Sequence, residues 1–123
     1  MNKRRSIGLS GENFVSQYLE ENGYEIITKN FNSKFGEVDI IAISDDNYLC
    51  FIEVKTRSKY KYPQEAITDK KLLRMKLTAN YFMKIQKWKG DIRFEVVAVR
   101  KTKNRLEIAE HITNIWLDGH LRG

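Results

Sequence analysis

Glu37–Ser44 reads EVDIIAIS and Tyr48–Thr56 reads YLCFIEVKT, and between them stands Asp45-Asp46-Asn47. Two runs rich in β-branched and aromatic residues around a cluster of turn formers predict a β-hairpin. With a three-residue loop centred on Asp46, Ser44 faces Tyr48, and the same register sets Asp39 opposite Glu53 and Glu37 opposite Lys55. Directly opposed residues share a sheet face with Cβ atoms ~4.5–5.5 Å apart. Two carboxylates therefore converge, which is unfavourable in a sheet unless a cation compensates. Period-two alternation puts Lys55 on the face of Glu53, with Ile52 and Val54 pointing the other way. A salt-bridge cluster explains part of the group, but Asp39, Glu53 and Glu37 leave three acids against one lysine. A hard divalent cation such as Mg²⁺ fits better, because it is held by one or two carboxylates together with water and substrate phosphate. The whole inference hangs on register, since a slip of one residue turns Asp39 away from Glu53.

The rest of the chain builds outward from this hairpin. From Ser6 to Asn22 the residues Gly11, Phe14, Val15, Tyr18 and Leu19 share one helical face, and Asn22-Gly23 is a C-terminal stop. Glu12 falls at the edge of that face, from which it could reach the sheet; as an exposed helix carboxylate it would need no site at all. Tyr24–Lys29 reads as a strand, followed by a polar connection through Asn30, Asn32 and Ser33 to Gly36. After Pro63 a long helix is predicted over Thr68–Trp88, with Leu72, Met75, Ala79, Phe82 and Met83 on an apolar side, basic residues elsewhere, and Gly90 helping to end it. Strands over Ile92–Arg100 and Leu106–Ile112 and a short helical end through Ile115, Trp116 and Leu117 complete the chain. The expected fold is α/β in the order α-β-β-β-α-β-β-α, a central mixed sheet flanked by helices.

At 123 residues, 41% of them hydrophobic and 31% charged, the chain is neither disordered nor membrane-embedded. One domain over residues 1–123 is expected, burying somewhat under ~70% of its unfolded surface. Its one cysteine, Cys50, forms no internal disulfide and is read as core packing. The opening MNKRRSIGLSGENF has no apolar run of signal-peptide length, and no stretch approaches a membrane span, so a cytoplasmic protein is expected. The formal net charge of +6 is unevenly spread. Val54–Lys103 holds 15 Lys/Arg against 4 Asp/Glu, net +11, and the remainder 7 against 12, net −5. A basic half suits a polyanion such as nucleic acid, although a solvated lysine-rich surface accounts for the same numbers.

Gly36-Glu37-Val38-Asp39-Ile40-Ile41 followed by Phe51-Ile52-Glu53-Val54-Lys55-Thr56-Arg57 resembles the PD-(D/E)XK nuclease signature, an acid on one strand and acid-x-lysine on the next. More closely, the chain resembles the small bacterial YraN family, which is similar to archaeal Holliday junction resolvases. The match runs from Gly11-Glu12 through the hairpin to Pro63-Gln64-Glu65-Ala66, the basic helix and Arg93-Phe94-Glu95-Val96-Val97. Tyr62 stands where the family usually has glycine, and Glu95 where it commonly has Asp. The resemblance implies a restriction-endonuclease-like core, with Asp39 and Glu53 as metal ligands, Lys55 as the catalytic lysine and Glu12 as the acid contributed by the first helix, joining Asp39 and Glu53 in organising the metal.

Phosphodiester hydrolysis suits these residue types independently of the likeness. A carboxylate-held metal acidifies water and withdraws charge from the scissile phosphate. Lys55 is expected to orient the attacking water and neutralise the phosphate, since neighbouring carboxylates oppose its use as a base. Arg57, Lys59 and Lys61 with Tyr60 and Tyr62 form a candidate DNA-binding lip, and Lys70, Lys71, Arg74 and Lys84 a second phosphate-contacting strip; a solvated loop and an exposed helix face are the plainer readings. Gln64 could approach the site from the entry to the basic helix, whereas His111 and His120 have no acid at ligand spacing and are read as structural or surface residues. The expected function is a Mg²⁺- or Mn²⁺-dependent DNA endonuclease acting on branched, recombination or repair intermediates, with a homodimer where two strands must be cut. The alternatives are a non-catalytic nucleic-acid-binding or repair-partner-binding module on the same scaffold, and a structural partner protein stabilised by its ion pairs.

Overall fold

A computed structural model describes residues 3–57 and 68–115, with side chains for residues 11–56 and 68–115. The elements are α1 (Lys3–Glu21), β1 (Glu25–Ser33), β2 (Gly36–Ile43), β3 (Leu49–Arg57), α2 (Asp69–Gln86), β4 (Ile92–Lys101) and β5 (Leu106–Ile112). Their order is the expected one, and they form one mixed sheet in the sequence order β1-β2-β3-β4-β5. Adjacent strands are antiparallel except β3 and β4, which run parallel across the α2 crossover. The expected short terminal helix lies outside the described residues beyond Ile115. Among the described residues no helix is long and apolar enough to cross a membrane.

Alternation along β3 divides the core between the two helices. Leu49 and Phe51 pack with Val38, Ile41 and Phe94 beneath Leu72, Met75, Ala79 and Phe82 of α2. Cys50 and Ile52 pack with Ile40, Ala42, Val97 and Val99 beneath Val15 and Leu19 of α1. Thus α1 and α2 cover opposite faces of the sheet, as the two-residue period requires. At Gly11, α1 comes so close to the sheet that a Cβ would stand 2.8 Å from Thr56 Oγ1.

The sequence-predicted boundaries shift in physically intelligible ways. Asn30, Asn32 and Ser33 extend β1 instead of forming a loop, because β2 pairs with them as far as Ser33↔Gly36. Helix α2 begins at a Thr68 cap whose hydroxyl accepts the Lys71 N–H at 3.1 Å. It ends at Lys87, in the left-handed conformation at φ 55°, three residues before Gly90. Gly90 instead packs on the Trp88 ring, where a Cβ would meet Cζ2 at 3.0 Å.

A fully buried carboxylate holds the α1 side of the sheet together. Glu95 Oε1 lies 2.7 Å from His111 Nε2 and 3.1 Å from the Tyr24 hydroxyl, and Oε2 accepts from Arg93 Nε at 2.9 Å. Tyr18 reaches the other ring nitrogen of His111 at 2.9 Å, while Arg93 also bonds Asp46 and covers the Tyr48 ring. His111 therefore does have an acid partner, brought to it from the neighbouring strand and not by sequence spacing. Burial raises the Tyr18 and Tyr24 hydroxyls, with Glu95 nearby adding to the effect, so both stay protonated donors. Cys50, buried against the same network, is pushed up to about 12, which confirms it as packing and not a nucleophile.

Removing one member of such a network leaves the others buried and unpaired. Glu95→Ala is expected to cost about 3–5 kcal/mol in urea unfolding, and Tyr24→Phe about 1 kcal/mol. A loss below about 0.5 kcal/mol for Glu95→Ala, the range of ordinary surface substitutions, would contradict a structural role.

Candidate active site

The hairpin forms with the loop centred on Asp46. Ser44 N donates to Tyr48 O at 3.0 Å, Asn47 takes the left-handed conformation at φ 71°, and pairing runs from Ile43↔Leu49 to Ile40↔Ile52. The next step of this register is Asp39 against Glu53, and there the backbone ladder gives way to a side chain. Asp39 Oδ2 accepts the N–H of Val54 at 2.8 Å. Glu37 falls beyond the ladder and pairs with Asn32 of β1, so the expected pairing of Glu37 with Lys55 is not made.

Strand β2 is turned at Asp39. Val38 and Ile40 would share a face in a regular strand, yet Val38 packs under α2 and Ile40 under α1. Opposite this irregularity, Asn30 of β1 has φ 55°, between the pairs Lys29↔Ile40 and Phe31↔Val38. Asp39 consequently acts on groups from both sides of the sheet. Its charge contributes to raising both Glu53, on the α2 side, and Glu12, on α1. Glu12 is half-buried; desolvation is the main cause of its upward shift, while a hydrogen bond to Asn30 opposes it.

Glu53 is the most constrained member. It is 4% exposed, and burial is the first cause of its raised pKa, followed by Asp39; Lys71 and Lys55 act in the opposite direction. Its Oε2 lies 3.0 Å from Lys71 Nζ and 3.8 Å from Lys55 Nζ. Its Oε1 is buried and has no hydrogen-bond partner among the described residues. Lys55 thus sits where alternation puts it, whereas Lys71, expected in an outward strip, turns in from the first turn of α2. Four residues from the capping Thr68 segment to Lys71 carry no sequence signal that a lysine there would bend inward.

The oxygen donors suit a hard divalent cation, and an unpartnered buried carboxylate oxygen is what such an ion would occupy. Among the described residues no three His, Cys, Asp or Glu side chains stand close enough together to hold an ion. A cation here would therefore take Asp39 and Glu53 from the chain and complete its shell with water or phosphate oxygens.

Of the expected nucleic-acid contacts, Arg57 ends β3 beyond Lys55, and Lys70 and Arg74 are exposed on α2. Lys59, Tyr60 and Lys61, with Tyr62 and Gln64, lie outside the described residues, as does His120. The outward face of α2 is not simply basic. Leu73, Leu77, Tyr81 and Ile85, spaced four residues apart, are all exposed beside Lys70, Arg74 and Lys84.

Fold and site together define an α/β protein with an acidic pair and a lysine where its central hairpin opens. The chain belongs to UPF0102, an uncharacterised protein family, whose match covers residues 11–99; this bears out the kinship expected from the hairpin motifs. It is 45% identical to a UPF0102 protein of Cytophaga hutchinsonii over 112 residues, 89% of this chain and 95% of that one. With a UPF0102 protein of Caldicellulosiruptor saccharolyticus it shares 49% identity over 102 residues, 80% of this chain and 85% of the relative. Among solved structures it is similar to a repair endonuclease from Pyrococcus abyssi, at 19% identity and a TM-score of 0.45. That likeness covers 74% of this chain and 36% of the other.

A carboxyl whose native pKa is raised binds its proton more readily folded than unfolded, so its contribution to stability falls as pH rises through that pKa. In metal-free buffer, ¹³C-carboxyl NMR is expected to find Glu53 titrating above its ordinary 4.5. Asp39→Asn should lower that midpoint, because the Asp39 charge contributes to raising it. A midpoint unmoved by Asp39→Asn would show that the two carboxylates do not interact.

Proposed function

We propose that this protein is a Mg²⁺- or Mn²⁺-dependent endonuclease of the cytoplasm, acting on DNA and in particular on branched, recombination or repair intermediates. The observation that carries the reading is the buried, unpartnered Oε1 of Glu53 beside Asp39, with Lys55 3.8 Å from the same carboxylate. Asp39 and Glu53 would hold the cation, and Glu12, whose carboxyl the Asp39 charge helps to raise, would act on its water. The bound ion would supply an acidified water and withdraw charge from the scissile phosphate. Lys55 orients the attacking water and faces the developing negative charge. Water adds to phosphorus, the bond to one sugar oxygen breaks, and that oxygen leaves with a proton. Arg57, Lys70 and Arg74, with Lys59, Tyr60 and Lys61 before α2, contact flanking phosphates and fix the strand. One such site cuts one strand, so a two-stranded target calls for a homodimer.

A second reading is a nucleic-acid-binding or partner-binding module without catalysis. The described residues bring together no three metal-binding side chains, and the outward face of α2 mixes apolar with basic residues as docking surfaces do.

The two readings part on a cleavage assay with labelled four-way junction, flap and single-stranded DNA in Mn²⁺. Wild type is expected to cut at least one of them, and Asp39→Asn, which keeps an acceptor oxygen for the Val54 N–H, and Lys55→Met to lose at least about 100-fold in rate with unchanged circular dichroism. Equal activity in wild type and Asp39→Asn would sink the nuclease reading. Tight, salt-sensitive binding without cleavage would favour the module.

A further inference from the structure

Lys71 has no part in the chemistry set out above, yet its ammonium makes the shortest contact to Glu53, at 3.0 Å. We infer that Lys71 is a cationic placeholder: it neutralises Glu53 while the site lacks metal, and metal entry releases it to the incoming phosphate. This rests on the nuclease reading and concerns how that same site is regulated. The charges support it. Asp39 and Glu53 bring two negative charges, Lys55 and Lys71 two positive ones, so the four groups are neutral together without a ligand. Burial makes the Glu53 charge costly, and the lysines beside it offset that cost. A divalent ion at the open Oε1 makes Lys71 redundant and repels it, and with Lys71 withdrawn leaves the site one charge positive until a phosphodiester arrives. Lys71 is able to move, because its side chain is 35% exposed against 6% for Glu53. It also stands in the first turn of α2, an end of a helix that favours anions. Metal and nucleic acid therefore favour one another's binding through Lys71, a coupling that must be reciprocal.

The test is calorimetric titration of Mn²⁺ alone into wild type, Lys71→Gln and Lys71→Arg, with DNA affinity measured separately by anisotropy in EDTA. Lys71→Gln is expected to bind Mn²⁺ about tenfold tighter, Lys71→Arg about as wild type. In EDTA, Glu53→Gln frees Lys71 and should tighten DNA binding about fivefold, and this gain should vanish in the Glu53→Gln/Lys71→Gln pair. Lys71→Met, which keeps the alkyl stem, serves if the glutamine variant unfolds. Equal or weaker Mn²⁺ binding by Lys71→Gln overturns the inference, for Lys71 would then merely orient Glu53. A DNA gain that survives in the double variant overturns it too. If neither wild type nor the Lys71 variants bind Mn²⁺, the nuclease reading itself falls.

Discussion

Where β2 leaves β3, the Val54 N–H needs an acceptor, and the carboxylate of Asp39 supplies it at 2.8 Å. This bond lets the strands part without stranding a buried donor. It also frees β2 to turn, so that Val38 packs beneath α2 while Ile40 packs beneath α1. The candidate site follows from that turn. A ladder that ran on regularly would have confined Asp39 to one face of the sheet. Because the strand is released, Asp39 acts both on Glu53, on the α2 side, and on Glu12, carried by α1. The close approach of α1 at Gly11, where only a hydrogen fits against Thr56, brings Glu12 to the same end of the sheet.

The chain buries two glutamates in its sheet and treats them differently. Glu95 is wholly enclosed, and both of its oxygens are hydrogen-bonded, by His111, Tyr24 and Arg93. Such a carboxylate is structural, since any added ligand would have to break an existing bond. Glu53 is nearly as buried, but one oxygen is held by lysine and the other has no partner among the described residues. An orphaned buried acceptor costs stability. Its presence in a protein that satisfies Glu95 so fully is the physical argument for function at Glu53.

Most of the fold was legible because its signals are local. The turn formers at Asp45-Asp46-Asn47 set the hairpin, two-residue alternation set the faces of β3, and Leu72, Met75, Ala79 and Phe82 set the buried side of α2. The register and the place of Lys55 followed from the same alternation. What was not legible depends on contacts between distant segments. His111 finds Glu95 because β4 and β5 pair, and Lys71 finds Glu53 because α2 packs over β3, so neither appears as a spacing. The extension of β1 through Asn30, Asn32 and Ser33 shows tertiary pairing overriding a polar, turn-like composition.

The division of charge along the chain acquires a spatial meaning from these contacts. Glu12, Asp39 and Glu53 precede the basic segment in sequence, and that segment folds back on Glu53 through Lys55 and Lys71. Part of the positive charge is therefore spent internally, on a buried carboxylate that also feels Asp39. The remainder, including exposed Lys70, Arg74 and Lys84, lies along α2, which begins at the acidic pair and leads away from it. A field of that shape suits a polyanion along the helix and a cation at the end of the sheet. On the nuclease reading proposed above, the helix would deliver a phosphate backbone to a metal held by the acids, and their junction, at Glu53, is where the chemistry would occur.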